Sequence, residues 1–234
     1  MKKMKKENGF TLVEIIFALF IGLALMGAIY VAMISGQKSS MALDSKVTAL
    51  QGTRAVIETM ALEISMASYN VNFVSNLWRD PANCPALSPN QAYKGIQVAT
   101  ANSIILEMDR NENSVIGDIA NDNEVIAYVY DIPNQRITRS ANCGAATSFL
   151  GDIVGNPRSE RVINNTLLIP VFRYFNGSGV EIPAANLPAE IPNIRRIQIT
   201  LAVETEDVDP NSHQRRRMTY STSVIPRNHA ISPL

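Results

Sequence analysis

The sequence predicts an α+β fold: a long N-terminal α-helix, transmembrane in its first half and amphipathic in its second, packed on an antiparallel β-sheet. Three observations predict it. An apolar run from Phe10 to Ile34 is long enough to cross a bilayer. An apolar stripe at helical spacing follows it, and no proline occurs before Pro81. Beyond about residue 70 the pattern changes to short alternating segments separated by turn residues.

The apolar run reads FTLVEIIFALFIGLALMGAIYVAMI, and Glu14 is its only ionisable side chain apart from the Tyr30 phenol. At about 1.5 Å rise per residue, roughly 25 residues reach about 37 Å as a helix, against a hydrocarbon core of about 30 Å. A carboxylate inside such a span costs roughly 3 kcal/mol on insertion, so Glu14 needs a partner or a purpose. Lys2, Lys3, Lys5 and Lys6 precede the run and only Lys38 follows it closely. The positive-inside rule therefore leaves the leader in the cytoplasm and the rest of the chain outside. An ordinary secretory signal has a shorter apolar region and a small-residue cleavage site after it, and this run fits neither feature.

The string Gly9-Phe10-Thr11-Leu12-Val13-Glu14, behind a lysine-rich leader, resembles the processing site of type IV prepilins and type II secretion pseudopilins. The resemblance implies cleavage between Gly9 and Phe10 by a prepilin peptidase and N-methylation of Phe10. It also implies an assembly role for Glu14, whose carboxylate would neutralise the freed amine of a neighbouring subunit, turning two costly lone charges into one pair. The expected segments are a cleaved leader at 1–9, a transmembrane and assembly helix at 10–34, its amphipathic continuation at 35–70, and a pilin-like sheet domain at 71–234. Many major pilins carry a proline in the apolar half; here Gly22, Gly27 and Gly36 are the weak points of the helix, or places of close helix packing.

Leu43, Val47, Leu50, Ile57, Ala61 and Ile64 form the predicted sheet-facing stripe, interrupted at Gly52 and Arg54, and the helix is expected to end near Tyr69 or Asn70. Strands are predicted at 95–98 and 103–108, then at 124–131 paired with 136–139, then at 168–175 before the Asn176-Gly177-Ser178-Gly179 turn. Ile197, Ile199, Leu201 and Val203 alternate with Gln198, Thr200, Ala202 and Glu204, a strand with one buried face, and 218–224 is its partner. Irregular insertions are expected at 71–92 and 141–160.

Cys84 and Cys143 are the only cysteines, and in an external compartment an even count is consistent with one bridge. Closing a loop of about 60 residues stabilises a fold by up to roughly 4 kcal/mol in the chain-entropy model. Asp109, Asn111 and Asn113 alternate as hard oxygen donors, with Asp118, Asp122 and Glu124 able to complete a shell, so this loop is a calcium candidate. Its spacing departs from the EF-hand and Ser114 stands where that motif has glycine; the bland reading is a solvated hairpin tip. No other cofactor is indicated.

His213 and His229 lie in no zinc-protease arrangement, no serine sits in a nucleophile elbow, and no phosphate loop is present, so no enzyme activity is expected. With 21 basic and 21 acidic residues, no net charge argues for nucleic acid. Arg215, Arg216 and Arg217 form a basic knot, better read as a solvated strand edge than as a DNA contact.

Residues 51–69, 109–139 and 195–201 with Arg227-Asn228 resemble minor pilins of the PilW type, with the GspJ pseudopilin as rival. That implies a low-copy subunit of a type IV pilus, held in the bacterial inner membrane with its C-terminal domain in the periplasm and then carried into the fibre. The implied partners are other pilins or pseudopilins, the prepilin peptidase, the inner-membrane assembly platform and, before assembly, membrane lipid. A membrane-anchored periplasmic binding or adhesion module is the alternative from another class.

Overall fold

The computed structural model describes residues 9–84, 86–117, 123–151, 160–209 and 212–230. A single helix, α1 (Leu12–Met66), runs 55 residues without a break, passing through Gly22, Gly27 and Gly36. At about 1.5 Å per residue it is roughly 80 Å long. Its first half packs on no other described part of the chain: the most apolar 18-residue window, of mean hydropathy 2.6, is 0% buried.

The second half packs on the sheets, and the predicted stripe holds only in its later part, where Ile57 and Ile64 are buried and Ala61 packs against the core. Ala49, Thr53, Val56, Ile57, Met60 and Ile64 are buried, whereas Leu43 and Val47 are exposed. The burial begins at Ala49 and turns on small residues, which let the helix approach the sheet; Thr53 donates its hydroxyl back to Ala49 O at 2.8 Å, so its polar atom costs nothing there. Gly52 belongs to the same close approach, since a Cβ there would lie 3.1 Å from Glu160 Oε1.

The helix stops at Met66, earlier than expected. Ala67 turns extended and Ser68 takes φ +67°, and the Ser68 N–H donates to Glu107 O at 2.8 Å instead of continuing the helical ladder. Gly95 lies directly over this corner; a Cβ there would come within 2.3 Å of Ser68 N and 2.2 Å of Glu107 O. Only glycine fits.

Nine strands follow among the described residues, in two antiparallel sheets where the sequence suggested one. The first is a meander of β1 (Ile96–Ala99), β2 (Ser103–Glu107), β3 (Val125–Asp131), β4 (Arg136–Ala141) and β5 (Thr147–Leu150). The second is centred on β8 (Arg196–Val208), with β9 (Arg215–Val224) along one side and, end to end along the other, β6 (Glu160–Val162) and β7 (Phe172–Phe175). β5 falls inside the expected insertion at 141–160, and β7 is shorter than the strand expected from residue 168.

The ladders stay separate because the junction is made by turns and tyrosines. Phe172 N donates to Ala101 O, and Val162 N to Gln135 O. The Tyr130 hydroxyl donates to Val162 O and the Tyr174 hydroxyl to Thr100 O, both at 2.9 Å. One apolar core serves both sheets and the helix: Met60 and Ile64 meet Ile96, Ile104, Tyr128 and Phe172 together with Ile197, Ile199, Leu201 and Val203 of β8. β8 is also buried at Thr200 and Ala202, so the alternation expected there is incomplete.

Candidate functional site

The assembly segment is built locally. Gly9 and Phe10 precede α1 in an exposed, non-helical stretch, and Phe10 keeps 85% of its surface free. A Cβ on Gly9 would meet nothing within 4 Å among the described residues.

Glu14 is the third residue of the helix, and Thr11 caps it. The Thr11 hydroxyl accepts from Glu14 N at 3.3 Å, while Glu14 Oε2 accepts from Thr11 N at 2.8 Å and from the Thr11 hydroxyl at 3.0 Å. This is a reciprocal capping box. The role of Thr11 was legible in the Thr-x-x-Glu spacing but escaped the sequence reading, which attended to charge alone. The carboxylate is thereby held at the first turn, beside the backbone where cleavage would leave the new amine, and the positive end of the helix dipole favours it there. Exposed Leu12, Ile15, Ile16, Phe17, Leu19 and Phe20 surround it.

Cys84 and Cys143 are joined by a disulfide with Cα atoms 6.3 Å apart, tying the loop after α1 to the end of β4. Beside it Leu77, Trp78, Ile116 and Val125 form a small second core.

The calcium candidate resolves into a buried base and an exposed rim. Asp109 and Glu124 are buried, at 0% and 1% exposure, whereas Asn111 and Asn113 are exposed. Asp109 Oδ2 accepts from Ser114 N at 3.0 Å. The Glu124 carboxylate accepts from the backbone N–H groups of Arg110, Asn111 and Gly117. Burial still pushes its pKa up against those three bonds. Asp118 and Asp122 lie outside the described residues. The base of this loop is thus not a solvated tip, and among the described residues no three His, Cys, Asp or Glu side chains converge.

The arginine knot lies at the start of β9 with acids beside each member. Arg215 is 3.5 Å from Glu206, Arg217 is 3.8 Å from Glu204, and Arg216 bonds Asp209. His229 is fully buried, with Nδ1 2.8 Å from the Ser68 hydroxyl and Nε2 2.8 Å from Ile191 O, so both ring nitrogens serve packing.

A family model described as "Prokaryotic N-terminal methylation motif" matches residues 4–30. No curated protein and no solved structure matches the chain. The matched stretch includes the Gly9-Phe10 junction, Thr11 and Glu14. The chain therefore carries a type IV pilin-like N-terminal segment, and that segment with its long apolar helix points to a membrane anchor.

Proposed function

We propose that this chain is a minor pilin: a prepilin cut between Gly9 and Phe10 by prepilin peptidase, methylated on Phe10, and drawn from the inner membrane into a type IV pilus, at its initiation or tip. The observation that carries this reading is the pairing of an accessible Gly9-Phe10 junction with a carboxylate fixed three residues into a helix whose apolar half no other described part of the chain covers. A lone acid facing lipid is a standing cost, and a neighbouring subunit's freed amine removes it. The chain does no chemistry itself; it is the substrate of the peptidase and a part of the fibre. Its sheet domain, outside the membrane, is the face offered to partners.

The test is mass spectrometry of the protein from its native host, together with assembly of Glu14→Ala. A mature chain beginning at N-methyl-Phe10, and failure of Glu14→Ala to enter fibres, support the proposal. An intact leader, or equal incorporation of Glu14→Ala as expected of a simple membrane-anchored module, overturns it. A type II secretion pseudopilin shares both properties, and deletion separates the two: loss of twitching marks the pilus, loss of protein export the secretion system.

A further inference from the structure

We propose that the turn after β7 is a self-modifying site, in which the Gly177 backbone nitrogen attacks the Asn176 side chain, ammonia leaves, and residue 176 becomes aspartate and isoaspartate. Asn176-Gly177 is the only Asn-Gly pair beyond the leader. It opens a closed turn: Asn176 N donates to Val180 O at 2.9 Å, and Gly179 N donates to Asn176 O at 3.0 Å. Asn176 is half-buried, while Gly177, Ser178, Gly179 and Val180 are exposed.

Asn176 Oδ1 accepts from Ser178 N and from Val180 N, each at 3.0 Å. Two backbone N–H groups on one amide oxygen draw electrons from Cγ, and they stand where negative charge collects when a nucleophile adds to that carbon. The nucleophile is the next atom group along the chain. The Gly177 nitrogen closes a succinimide ring on Cγ, and the short tether makes the attack intramolecular. Neither the Gly177 N–H nor Asn176 Nδ2 makes a hydrogen bond among the described residues, so the attacking nitrogen and the departing one are both unengaged. Glycine at 177 has no Cβ to obstruct the approach.

In the first step the Gly177 nitrogen bonds to Cγ and gives its proton to solvent, Nδ2 takes up a proton, and the Cγ–Nδ2 bond breaks to release ammonia. Water then opens the ring. Addition of water at Cγ gives aspartate, and addition at the former backbone carbonyl gives isoaspartate. Nothing is oxidised or reduced, and water is the only co-reactant. The turn borders an open hollow of about 240 Å³, lined also by Glu190, Asn193 and Arg195. Aspartate adds a carboxylate to the hollow that holds Arg195 and keeps an acceptor for Ser178 N and Val180 N. Isoaspartate routes the main chain through an extra methylene, which displaces Val180 and Glu181 from their pairing with Asn176 and Phe175. The change happens once per chain and turns over no substrate, so it leaves the chain a fibre part and not an enzyme.

The experiment incubates the full chain in detergent, in mildly alkaline buffer made with isotopically labelled water, beside an identical sample held unfolded in guanidinium. Peptide mapping by mass spectrometry follows residue 176. Aspartate and isoaspartate should both accumulate there, each carrying a labelled oxygen. The folded chain should react about tenfold faster than the unfolded one, a fraction of the roughly 100-fold that a buried oxyanion donor supplies, because this turn is open to water. Gly177→Ala should slow the folded reaction by about tenfold, since a small displacement of the attacking nitrogen costs that much or more. The nearest atom to the added Cβ is Arg195 Cγ at 3.7 Å, an ordinary contact, so the turn survives and an unchanged Tm verifies it. An unmodified Asn176 in the wild-type chain overturns the proposal, as does aspartate without isoaspartate, the mark of direct amide hydrolysis. A folded rate no higher than the unfolded rate, or a Gly177→Ala rate equal to wild type, overturns it as well.

Discussion

Glu63 on α1 and Arg139 on β4 are joined by two hydrogen bonds, at 2.7 Å and 3.3 Å, and the Tyr128 hydroxyl donates to the same carboxylate. The two side chains are 17% and 19% exposed, so the pair sits where the helix meets the first sheet, largely out of water. Burial and the neighbouring Glu63 charge push the Tyr128 phenol up, keeping it a donor at any physiological pH.

Removing one member of such a pair leaves the others desolvated and unpaired. Glu63→Ala should lower stability by about 2 to 3 kcal/mol, less than a fully buried pair because water still reaches it. Glu63→Gln, which keeps an acceptor for Tyr128, should cost about half as much. Chemical denaturation of the detergent-solubilised chain measures both, and equal midpoints for Glu63→Ala and wild type would contradict the account.

Asn164 takes the place of a missing ladder rung between β6 and β7. Its amide nitrogen donates to Thr200 O at 2.8 Å and to Ile169 O at 3.2 Å, and its Oδ1 accepts from Ala202 N at 2.8 Å. Asn164→Leu has a similar size but strands the buried Thr200 carbonyl and Ala202 N–H and the half-buried Ile169 carbonyl, at about 1 to 3 kcal/mol for each buried unsatisfied group before relaxation. The expected outcome is a loss of several kcal/mol in urea unfolding with far-UV helix content retained in the folded chain. A near-neutral result would mean that water replaces the amide.

Glu107 is buried beneath the end of α1, its Oε2 accepting from Arg79 N at 2.8 Å and its Oε1 unpartnered. Burial pushes its pKa up to about 8. A raised acid binds its proton more tightly folded than unfolded, so its stability contribution is complete below about pH 4.5 and is lost as pH rises to about 8. Glu107→Gln should flatten the fall of Tm with pH between about 6.5 and 8, above the range in which His229 titrates. If the variant keeps the wild-type slope between about pH 6.5 and 8, another group is responsible.

His229 works in the opposite direction. Its Nε2 donates to Ile191 O, its Nδ1 accepts from the Ser68 hydroxyl, and that oxygen in turn accepts from Gly95 N. Burial, with Lys94 and Arg195 nearby, lowers its pKa to about 4 against the push of the Ile191 carbonyl. Stability from this group is therefore present above about pH 6.5 and lost as pH falls toward 4. His229→Asn should remove that acid sensitivity, read as Tm between pH 4 and 6.5. Between about pH 4.5 and 6.5 the Glu107 and His229 effects oppose each other, so the wild-type profile should be flatter there than either variant's.

The buried face of α1 was legible at Ile57, Ala61 and Ile64 but not where burial begins. The sequence stripe chose Leu43 and Val47 because they are large and apolar, but both are exposed. The burial chose Ala49 and Thr53, whose size suits close approach to β8 and β9, information held in the opposing strands rather than in the helix. The β1–β4 strands were readable to within a few residues, since each pairs with its sequence neighbour through a short turn. β5 and β6 were not, because both owe their place to partners and not to their own pattern: β5 pairs with β4, and β6 with a strand 40 residues on.

The apolar half of α1, the acid near its start and the leader motif before it were legible in the sequence alone, because hydropathy and cleavage signals act over a single turn or a single span. Tertiary structure alone decided the division into two sheets, the Asn164 rung and the burial of Asp109 beside Glu124. Each of these depends on which distant backbone groups come to lie within a hydrogen bond of one another, and no local pattern encodes that.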